Sequence, residues 1–573
     1  MSRYYRAIAV DYDGTLTGTD TPDPAVLAAI ARARGAGRRV VLVTGRIFSS
    51  LLKSFPGAEG AFDAVVAENG AVIWRPGTGR RAVAQPVASE LGLALEARGV
   101  PVERGEVLLA TQAVHDRTVL QEIARLGLEV QLVRNRGELM ALPPGVSKGT
   151  GLLEALAELN ISRHSTIAVG DAENDHSLLE SCELGVAVAN AIPALQERAD
   201  VVLGQPAGRG IVELLGGPLL RDEIRIRPKR WQVRLGAAPD GEAVTIPGSQ
   251  VNLLIAGGSQ SGKSHLGGLF AERLVAMGYV TCVIDPEGDH IGLQQLRGLV
   301  VVGGTEPPPS PEHLGRLLRL GSVVVDLSLR SATERVGDCR RLLEALAEQR
   351  ERSGTPHWII LDEAHLVPDL ARLLSLRPGR SAAGICAITW RPDLLGAATL
   401  SAMDLAIALR GDGIATAAAL GRARFVFEPT PDQLAGPAVT GTIEGRLLDR
   451  RTVRSFVADQ RASLHLRHWH KYRTAELPYH RRFFFRRKDR PTGAVAASMA
   501  DFHHEIARAE PEVLLHHARN RDFSRWTSDV IRDHELAAGL RKAEATFADD
   551  GASTAEEGRR LLLRLIEVHY AGN

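Results

Sequence analysis

The sequence predicts a multidomain α/β protein: two successive parallel-sheet units, then a mainly helical C-terminal module. Three observations carry this. The chain has 573 residues, and at ~150 residues per domain that suggests three or four units. Short apolar runs alternate with helix-patterned stretches up to about residue 215, and again from about 250 to 455, as when helices cross over between parallel strands. The runs end at small or polar residues, where open parallel sheets keep their ligands.

Composition excludes the extreme classes. Hydrophobic residues make up 45% and charged residues 24%, as in ordinary soluble proteins. Lys plus Arg (69) nearly balances Asp plus Glu (68), a net charge of +1. Overall charge therefore announces neither a nucleic-acid nor a membrane partner. The four cysteines, Cys182, Cys282, Cys339 and Cys386, form no C-x-x-C pair, so a reducing, cytoplasmic setting is expected. The N-terminus runs straight into Ala7–Val10 without a signal-peptide pattern. No run reaches the ~20 apolar residues of a membrane span.

In the first unit, strand-like runs cover Ala7–Val10, Val40–Val43, Ala64–Ala67 and Thr166–Val169. The first ends in Asp11-Tyr12-Asp13-Gly14-Thr15. Two carboxylates at i and i+2 past a strand converge if Gly14 lets the chain turn, and a divalent cation relieves their repulsion. Thr44-Gly45-Arg46 follows the second run, Lys148 precedes a helix, and Gly170-Asp171-Ala172-Glu173-Asn174-Asp175 follows the fourth. Hydroxyl, ammonium and carboxylates together suit phosphoryl transfer, where positioning and charge stabilisation do most of the work.

These four pieces, in this order, resemble motifs I to IV of the haloacid-dehalogenase (HAD) phosphatases over residues 1–215. Glu68-Asn69-Gly70-Ala71 is similar to the Asn-Gly element of the Cof-type subgroup, and the short length to its phosphoglycolate- and sucrose-phosphatase branches. The resemblance implies a Rossmann-like core with an α/β cap between about 74 and 143. It makes Asp11 the nucleophile that becomes an aspartyl phosphate, and Asp13 the acid and base. Thr44 and Lys148 would hold phosphoryl oxygens, with Gly45, Arg46 and Asn174 positioning the phosphate. Mg²⁺ would bind among Asp11, Asp13, Asp171 and Asp175. His115 and Asp116 in the cap are read as surface residues rather than substrate contacts.

A boundary is placed near 216. A hairpin then follows: Trp231–Leu235, a Pro239-Asp240-Gly241 turn, and Ala243–Ile246. Next, Asn252–Ala256 leads into Gly257-Gly258-Ser259-Gln260-Ser261-Gly262-Lys263-Ser264 and a helix, which matches G-x-x-x-x-G-K-[ST] in a strand–loop–helix setting. The glycines and the helix N-terminus suit phosphates. Lys263 would reach the β- and γ-phosphates, and Ser264 would ligate Mg²⁺. Trp358–Leu361 ends in Asp362-Glu363, where Asp362 would hold the metal through water and Glu363 would polarise the attacking water. ATP and Mg²⁺ are the implied cofactors.

With Asp285-Pro286-Glu287-Gly288-Asp289 and the run before Trp390, this order resembles the FtsK/HerA class of ring-forming ATPases over about 230–455. The resemblance implies a homo-oligomeric ring, typically a hexamer, that moves DNA or protein. Trp390 stands where that class has a γ-phosphate-sensing glutamine. Arg391 and Arg410 are candidate arginine fingers, with structural ion pairs the equal alternative.

From 456 onward the chain is basic and aromatic, then helical. Residues 461–490 hold ten Lys/Arg among Trp469, Tyr472, Tyr479 and Phe483–Phe485. Single-stranded nucleic acid is one possible partner, and packing aromatics in a linker the favoured reading. His503, His504, His516 and His517 are read as part of a helix-packing module rather than a metal site. The whole sequence thus reads as a phosphomonoester hydrolase acting on a small phosphorylated substrate, fused to an ATP-binding and ATP-hydrolysing domain. The alternative is a DNA-translocating ring whose first domain trims nucleotide or polynucleotide-end phosphates.

Overall fold

The computed structural model describes residues 4–571 apart from 20, 136, 222, 259–260, 377–382, 410–420, 422–442, 450, 464–476, 478, 480–481, 489, 532 and 548–551. Two compact units emerge, one holding residues 1–286 and 290–465, the other 466–573 with 287–289.

The first sheet has eight strands. Their order across it is Val201–Val202, Leu184–Ala187, Thr166–Gly170, Ala7–Asp11, Arg39–Val43, Ala64–Ala67, Val72–Arg75 and Gly79–Ala82. The first six are parallel and the last two antiparallel. The central strands are mostly Ala, Val, Ile and Leu and, apart from Arg39 at the start of one, wholly buried, as strands covered on both faces must be. The helix Pro24–Gly35 starts with Asp23 accepting from the Ala25 amide and a proline in its first turn. In the helix Lys148–Glu158, Ser147 and Thr150 form a reciprocal capping box, which sets Lys148 at the first helical position, buried against the sheet.

The cap is a separate four-stranded antiparallel sheet, ordered Glu103–Arg104, Leu109–Gln112, Glu138–Leu142, Gln131–Asn135, under the helices Ser89–Ala97 and Asp116–Leu126. The insertion was expected from about 74, but the hairpin Val72–Arg75/Gly79–Ala82 instead extends the catalytic sheet. Glu68 joins cap to core. It is fully buried at φ +53° and accepts the amides of Glu106 (2.9 Å), Val107 (2.9 Å) and Leu108 (3.2 Å).

An eleven-stranded sheet follows. Its parallel part runs Leu405–Leu409, Asn252–Ala256, Ile385–Thr389, Trp358–Leu361, Thr281–Asp285, Ser322–Asp326, Leu299–Gly303. Antiparallel strands Glu444–Leu448 and Val453–Ala458 and the hairpin Gln232–Ala237/Ala243–Pro247 complete it. The sheet thus continues to Ala458, past residue 455.

The two sheets meet through their amino ends. Glu183, just before Leu184–Ala187, is fully buried. It takes His164 Nδ1 at 2.7 Å and the Tyr279 hydroxyl at 2.9 Å, and Ser249 Oγ donates to its other oxygen. His164 stacks on Tyr279 with ring centroids 3.7 Å apart, and its Nε2 lies 3.0 Å from the Met277 carbonyl. Trp231 donates to the Cys182 and Glu183 carbonyls, and Arg230 pairs with Asp200 at 2.6 Å. The carboxyl ends of both sheets, where chemistry is expected, therefore point away from this seam. A five-residue strand, roughly 16 Å, lies between the seam and each site.

The second unit packs the hairpin Phe483–Arg487/Arg490–Ala496 on the helices Met499–Arg508, Pro511–Arg519, Asp522–Trp526, His534–Phe547 and Ala552–Ala571. Phe483, Phe485, Phe502, Phe523 and Trp526 form its core. Among the described residues, no helix is long and apolar enough to cross a membrane.

Candidate active site

Asp11 ends the central strand Ala7–Asp11, and Gly14 at φ +84° turns the chain over it. Lys148 reaches Asp11 Oδ1 at 2.6 Å and Asp175 Oδ1 at 2.7 Å, with all three side chains buried. The other Asp175 oxygen accepts the amides of Asp171 (2.9 Å) and Ala172 (3.0 Å). Thr15 donates to Asp171 Oδ1 at 2.8 Å. Carboxylate oxygens of Asp11, Asp171 and Asp175 lie within 4.8 Å of one another, all buried.

One ammonium faces three carboxylates. Burial first, and then the Asp175 charge, push the Asp11 carboxyl up to about 7 against the pull of Lys148. Burial works against the Lys148 charge, but Asp11 and Asp175 outweigh it and hold the ammonium above its ordinary range. The net deficit of positive charge fits a divalent cation held by the three carboxylates.

Asp13 stands apart from this cluster. Arg46 grips it through Nε (2.9 Å) and Nη2 (2.6 Å), with the guanidinium over the Tyr12 ring. Thr44 caps the strand Arg39–Val43, and its hydroxyl accepts the Arg46 amide at 3.1 Å. Gly45 faces Met140 of the cap, whose Sδ would lie 3.5 Å from a Cβ at that position. Asn174 donates to Asn69 Oδ1 at 3.1 Å, and Asn174 Oδ1 is buried without a hydrogen-bond partner. Asn69 itself sits at φ +52°. The structure thus brings Asp11, Lys148, Asp171, Asp175, Thr44 and Asn174 around one cleft, with Asp13 and Arg46 paired at its mouth. Asp116 is held by Arg134, in line with a surface role.

At the far end of the second sheet, Gly262 at φ +96° precedes the helix Lys263–Ala276. A Cβ on Gly257 would lie 2.6 Å from Ser261 Oγ and 2.8 Å from Leu409 Cβ. Lys263 Nζ donates to the Gly258 carbonyl at 2.7 Å, and Ser264 follows it on the first turn. Ser259 and Gln260 lie outside the described residues. Asp362 is buried, with one oxygen on the Glu363 amide (2.8 Å) and the other 3.0 Å from His290 Nε2. Burial opposes its charge, but the His290 hydrogen bond prevails and lowers the carboxyl below its usual range. Glu363 is at φ +49°, 3.2 Å from His365 Nδ1. No role for His290 or His365 was legible in the sequence, although each adjoins a motif, because the contact of His290 with Asp362 spans 72 residues.

Of the arginine candidates, Arg391 pairs with Asp393 at 2.8 Å and lies over Trp390; Arg410 lies outside the described residues. Trp469 and Tyr472 do too, whereas Phe483 and Phe485 are buried in their own unit's core. His517 gives Nδ1 to Asp522 (2.7 Å) and takes the Arg486 amide at Nε2 (2.8 Å), so both ring nitrogens are used. His503 pairs with Glu567, and His504 with Arg508.

The chain matches the haloacid dehalogenase-like hydrolase family over residues 8–90 and 108–215. A phosphoglycolate phosphatase of Methanothermobacter thermautotrophicus is 33% identical over 219 residues, covering 36% of this chain and 96% of that protein. One from Archaeoglobus fulgidus is 32% identical over 219 residues, 37% of this chain and 95% of that protein. Phosphoglycolate phosphatase 2 of Saccharolobus solfataricus is 46% identical over 98 residues, only 17% of this chain and 40% of that protein. Among solved structures, a haloacid dehalogenase-like hydrolase from Bacteroides thetaiotaomicron is 20% identical at a TM-score of 0.33, covering 37% of this chain and 98% of that one.

Proposed function

The chain belongs to the haloacid dehalogenase-like hydrolases through its first 215 residues, and on that premise we propose that it hydrolyses a small phosphomonoester through a phosphorylated Asp11. The carrying observation is a buried set: Asp11 and Asp171 at the ends of adjacent strands, with Lys148 from a helix start and Asp175 from the following turn.

Asp11 attacks phosphorus in line, the bond to the leaving oxygen breaks, and Asp13 delivers a proton to that oxygen. Asp13 then takes a proton from water, which attacks the same phosphorus and frees Asp11. Thr44 and Lys148 hold the phosphoryl oxygens through both steps. Mg²⁺, held by Asp11, Asp171 and Asp175, would supply charge neutralisation for those oxygens. Arg46 keeps Asp13 on the leaving-group side of the cleft, and Asn174 offers a free amide oxygen beside it. Hydrolysis of p-nitrophenyl phosphate with Mg²⁺, lost in Asp11→Asn, tests the reading; full activity in that variant would overturn it.

We also propose that the Gly257–Ser264 loop binds ATP with Mg²⁺ and that Asp362 and Glu363 hydrolyse it. Its support is the left-handed Gly262 before a helix whose first residue is Lys263, with Asp362 buried at the end of Trp358–Leu361 two strands away in the same parallel sheet. Tight nucleotide binding lost in Lys263→Ala tests it, and unchanged affinity would overturn it. Either ATP turnover assembles or regulates the phosphatase, or it drives a DNA-moving ring. Turnover stimulated by DNA favours the ring; indifference to DNA favours regulation.

A further inference from the structure

We propose that the cap selects a leaving group that brings hydrogen-bond donors, hydroxyls or an ammonium, and rejects one bearing a carboxylate, with Glu138 as the specificity-determining residue. The proposal rests on the phosphatase reading and adds the chemical class of its substrate.

The direction of Glu138 follows from strand alternation. In Glu138–Leu142, Leu139 and Ala141 pack with Leu91, Leu95 and Val119 beneath the cap helices, whereas Met140 and Leu142 join the core of the catalytic domain. Glu138 therefore shares the face of Met140, which lies over Gly45 beside Thr44. It is exposed at the start of this strand. Partial burial, and then the Asp13 charge, raise its carboxyl above the ordinary glutamate range, while the Arg46 guanidinium works against them.

The neighbouring strand repeats the pattern. Leu132 packs with the cap cluster and Val133 with the catalytic core, so Asn135 lies on the catalytic side, directly opposite Glu138 in register. Asn135 Oδ1 is buried without a hydrogen-bond partner. This strand packs against the turn Glu173–Asp175, where Asn174 Oδ1 is also buried and unpartnered. Glu103, which accepts a hydrogen bond from Ser50 of the core, adds a second carboxylate to the wall.

The nearby cations already hold acidic partners, and Arg46 also acts on Glu138 itself. Arg46 holds Asp13 and Ser54, Lys148 holds Asp11 and Asp175, and Arg134 holds Asp116. Arg136, between Asn135 and Glu138 in the chain, lies outside the described residues. Among the described residues, this side of the cap presents acceptors: the carboxylates of Glu138 and Glu103 and the amide oxygen of Asn135. Buried acceptors without donors cost free energy until a ligand supplies them. A hydroxyl or ammonium does so; a carboxylate adds repulsion. The proposal therefore separates this chain from the relatives named for phosphoglycolate, whose leaving group is a hydroxy acid.

The test uses the full chain with saturating Mg²⁺ and three substrates: 2-phosphoglycolate, glycerol 1-phosphate and O-phosphoethanolamine. kcat/KM should favour the latter two by about tenfold, the scale of one like-charge contact in a solvent-exposed cleft. Glu138→Gln should shrink the phosphoglycolate-to-glycerol-phosphate gap by most of that factor, chiefly through a lower KM for phosphoglycolate, and Glu138→Lys should invert the preference. A wild-type preference for phosphoglycolate, or an unchanged ratio in both variants, would overturn the proposal. If the wild-type chain turns over neither these substrates nor p-nitrophenyl phosphate, the phosphatase reading itself fails. Activity on p-nitrophenyl phosphate with the wrong ratio sinks only the selectivity.

Discussion

The Asp11 cluster and the Gly257–Ser264 loop, for which ATP binding is proposed, place a buried lysine differently. At Asp11 the charges are assembled before any substrate arrives, with an ammonium locked between two carboxylates by hydrogen bonds of 2.6 and 2.7 Å. At the Gly257–Ser264 loop the ammonium of Lys263 rests on its own backbone, the Gly258 carbonyl. The first site is built for a charge that develops during reaction. At the second, under the proposed ATP reading, the cation would have to leave an internal partner to meet a phosphate. Preorganised donors cost nothing at the moment of reaction, whereas a self-capped loop has to be reorganised by the ligand it binds.

The sharpest way to break the comparison is Asp11→Asn. Phosphatase kcat should fall by about 10³-fold or more, as expected for a lost nucleophile, while ATP turnover stays within about twofold. Equal loss of both activities would mean that the two ends are not independent. Lys148→Met should follow, with phosphatase kcat down about 10²-fold, the usual scale of one lost charge-stabilising contact. Thermal melting should also show a folded state weakened by about 3 kcal/mol through the unpaired carboxylates. For the second site, Lys263→Ala should weaken ATP affinity by about 30-fold, on the scale of a lost charge-assisted contact to phosphate, with phosphatase kinetics unchanged. If phosphatase activity also falls in that variant, the two ends communicate across the seam.

That seam yields a stability test. Glu183 accepts from His164, Tyr279 and Ser249 in a fully buried setting. Glu183→Ala should cost about 3 kcal/mol, the scale for breaking a buried hydrogen-bonded charge. A single calorimetric transition that covers both sheets should then split in two. A variant that melts as one unit at the wild-type temperature would contradict a joint role for this contact.

The smallest effect expected is a pH dependence. Asp11 is raised to about 7 in the folded chain from the usual 3.8, so the folded state binds the proton more tightly than the unfolded one. Its stabilising contribution is complete below pH 4 and is lost as pH rises through about 7. Lys148, raised above its ordinary range, loses its contribution only in strongly alkaline solution. The metal-free chain should therefore melt a few degrees lower at pH 7.5 than at pH 5.5 through this group. Added Mg²⁺ should raise the melting temperature more at the higher pH, where Asp11 carries no competing proton. Equal Mg²⁺ shifts at both values would remove Asp11 from the metal site.

What the sequence made legible follows how local each signal is. Asp11, Thr44, Lys148 and Asp171 were readable because each ends a strand or opens a helix within a short motif. The donation of Thr15 to Asp171 spans 156 residues and leaves no trace in either motif. Glu183 and His164 carry no motif in the sequence, because Ser249, Tyr279 and His357, which they meet, lie in the second sheet's part of the chain. The hairpin Val72–Ala82 read as the start of the cap because alternation within a strand does not say which sheet it joins. Glu138 was invisible for a related reason. Its strand, Glu-Leu-Met-Ala-Leu, is apolar on both faces, and only the packing separates the cap side from the cleft side.

The most direct test of the account is to catch the phosphorylated nucleophile. Asp13→Asn should still accept phosphate from p-nitrophenyl phosphate, whose leaving group needs no proton, but should not activate water to release it. A burst of about one nitrophenolate per chain should appear, with the phosphate found on Asp11 after acid quench and peptide mapping. A linear time course without a burst, or phosphate on any other residue, would contradict Asp11 as the nucleophile.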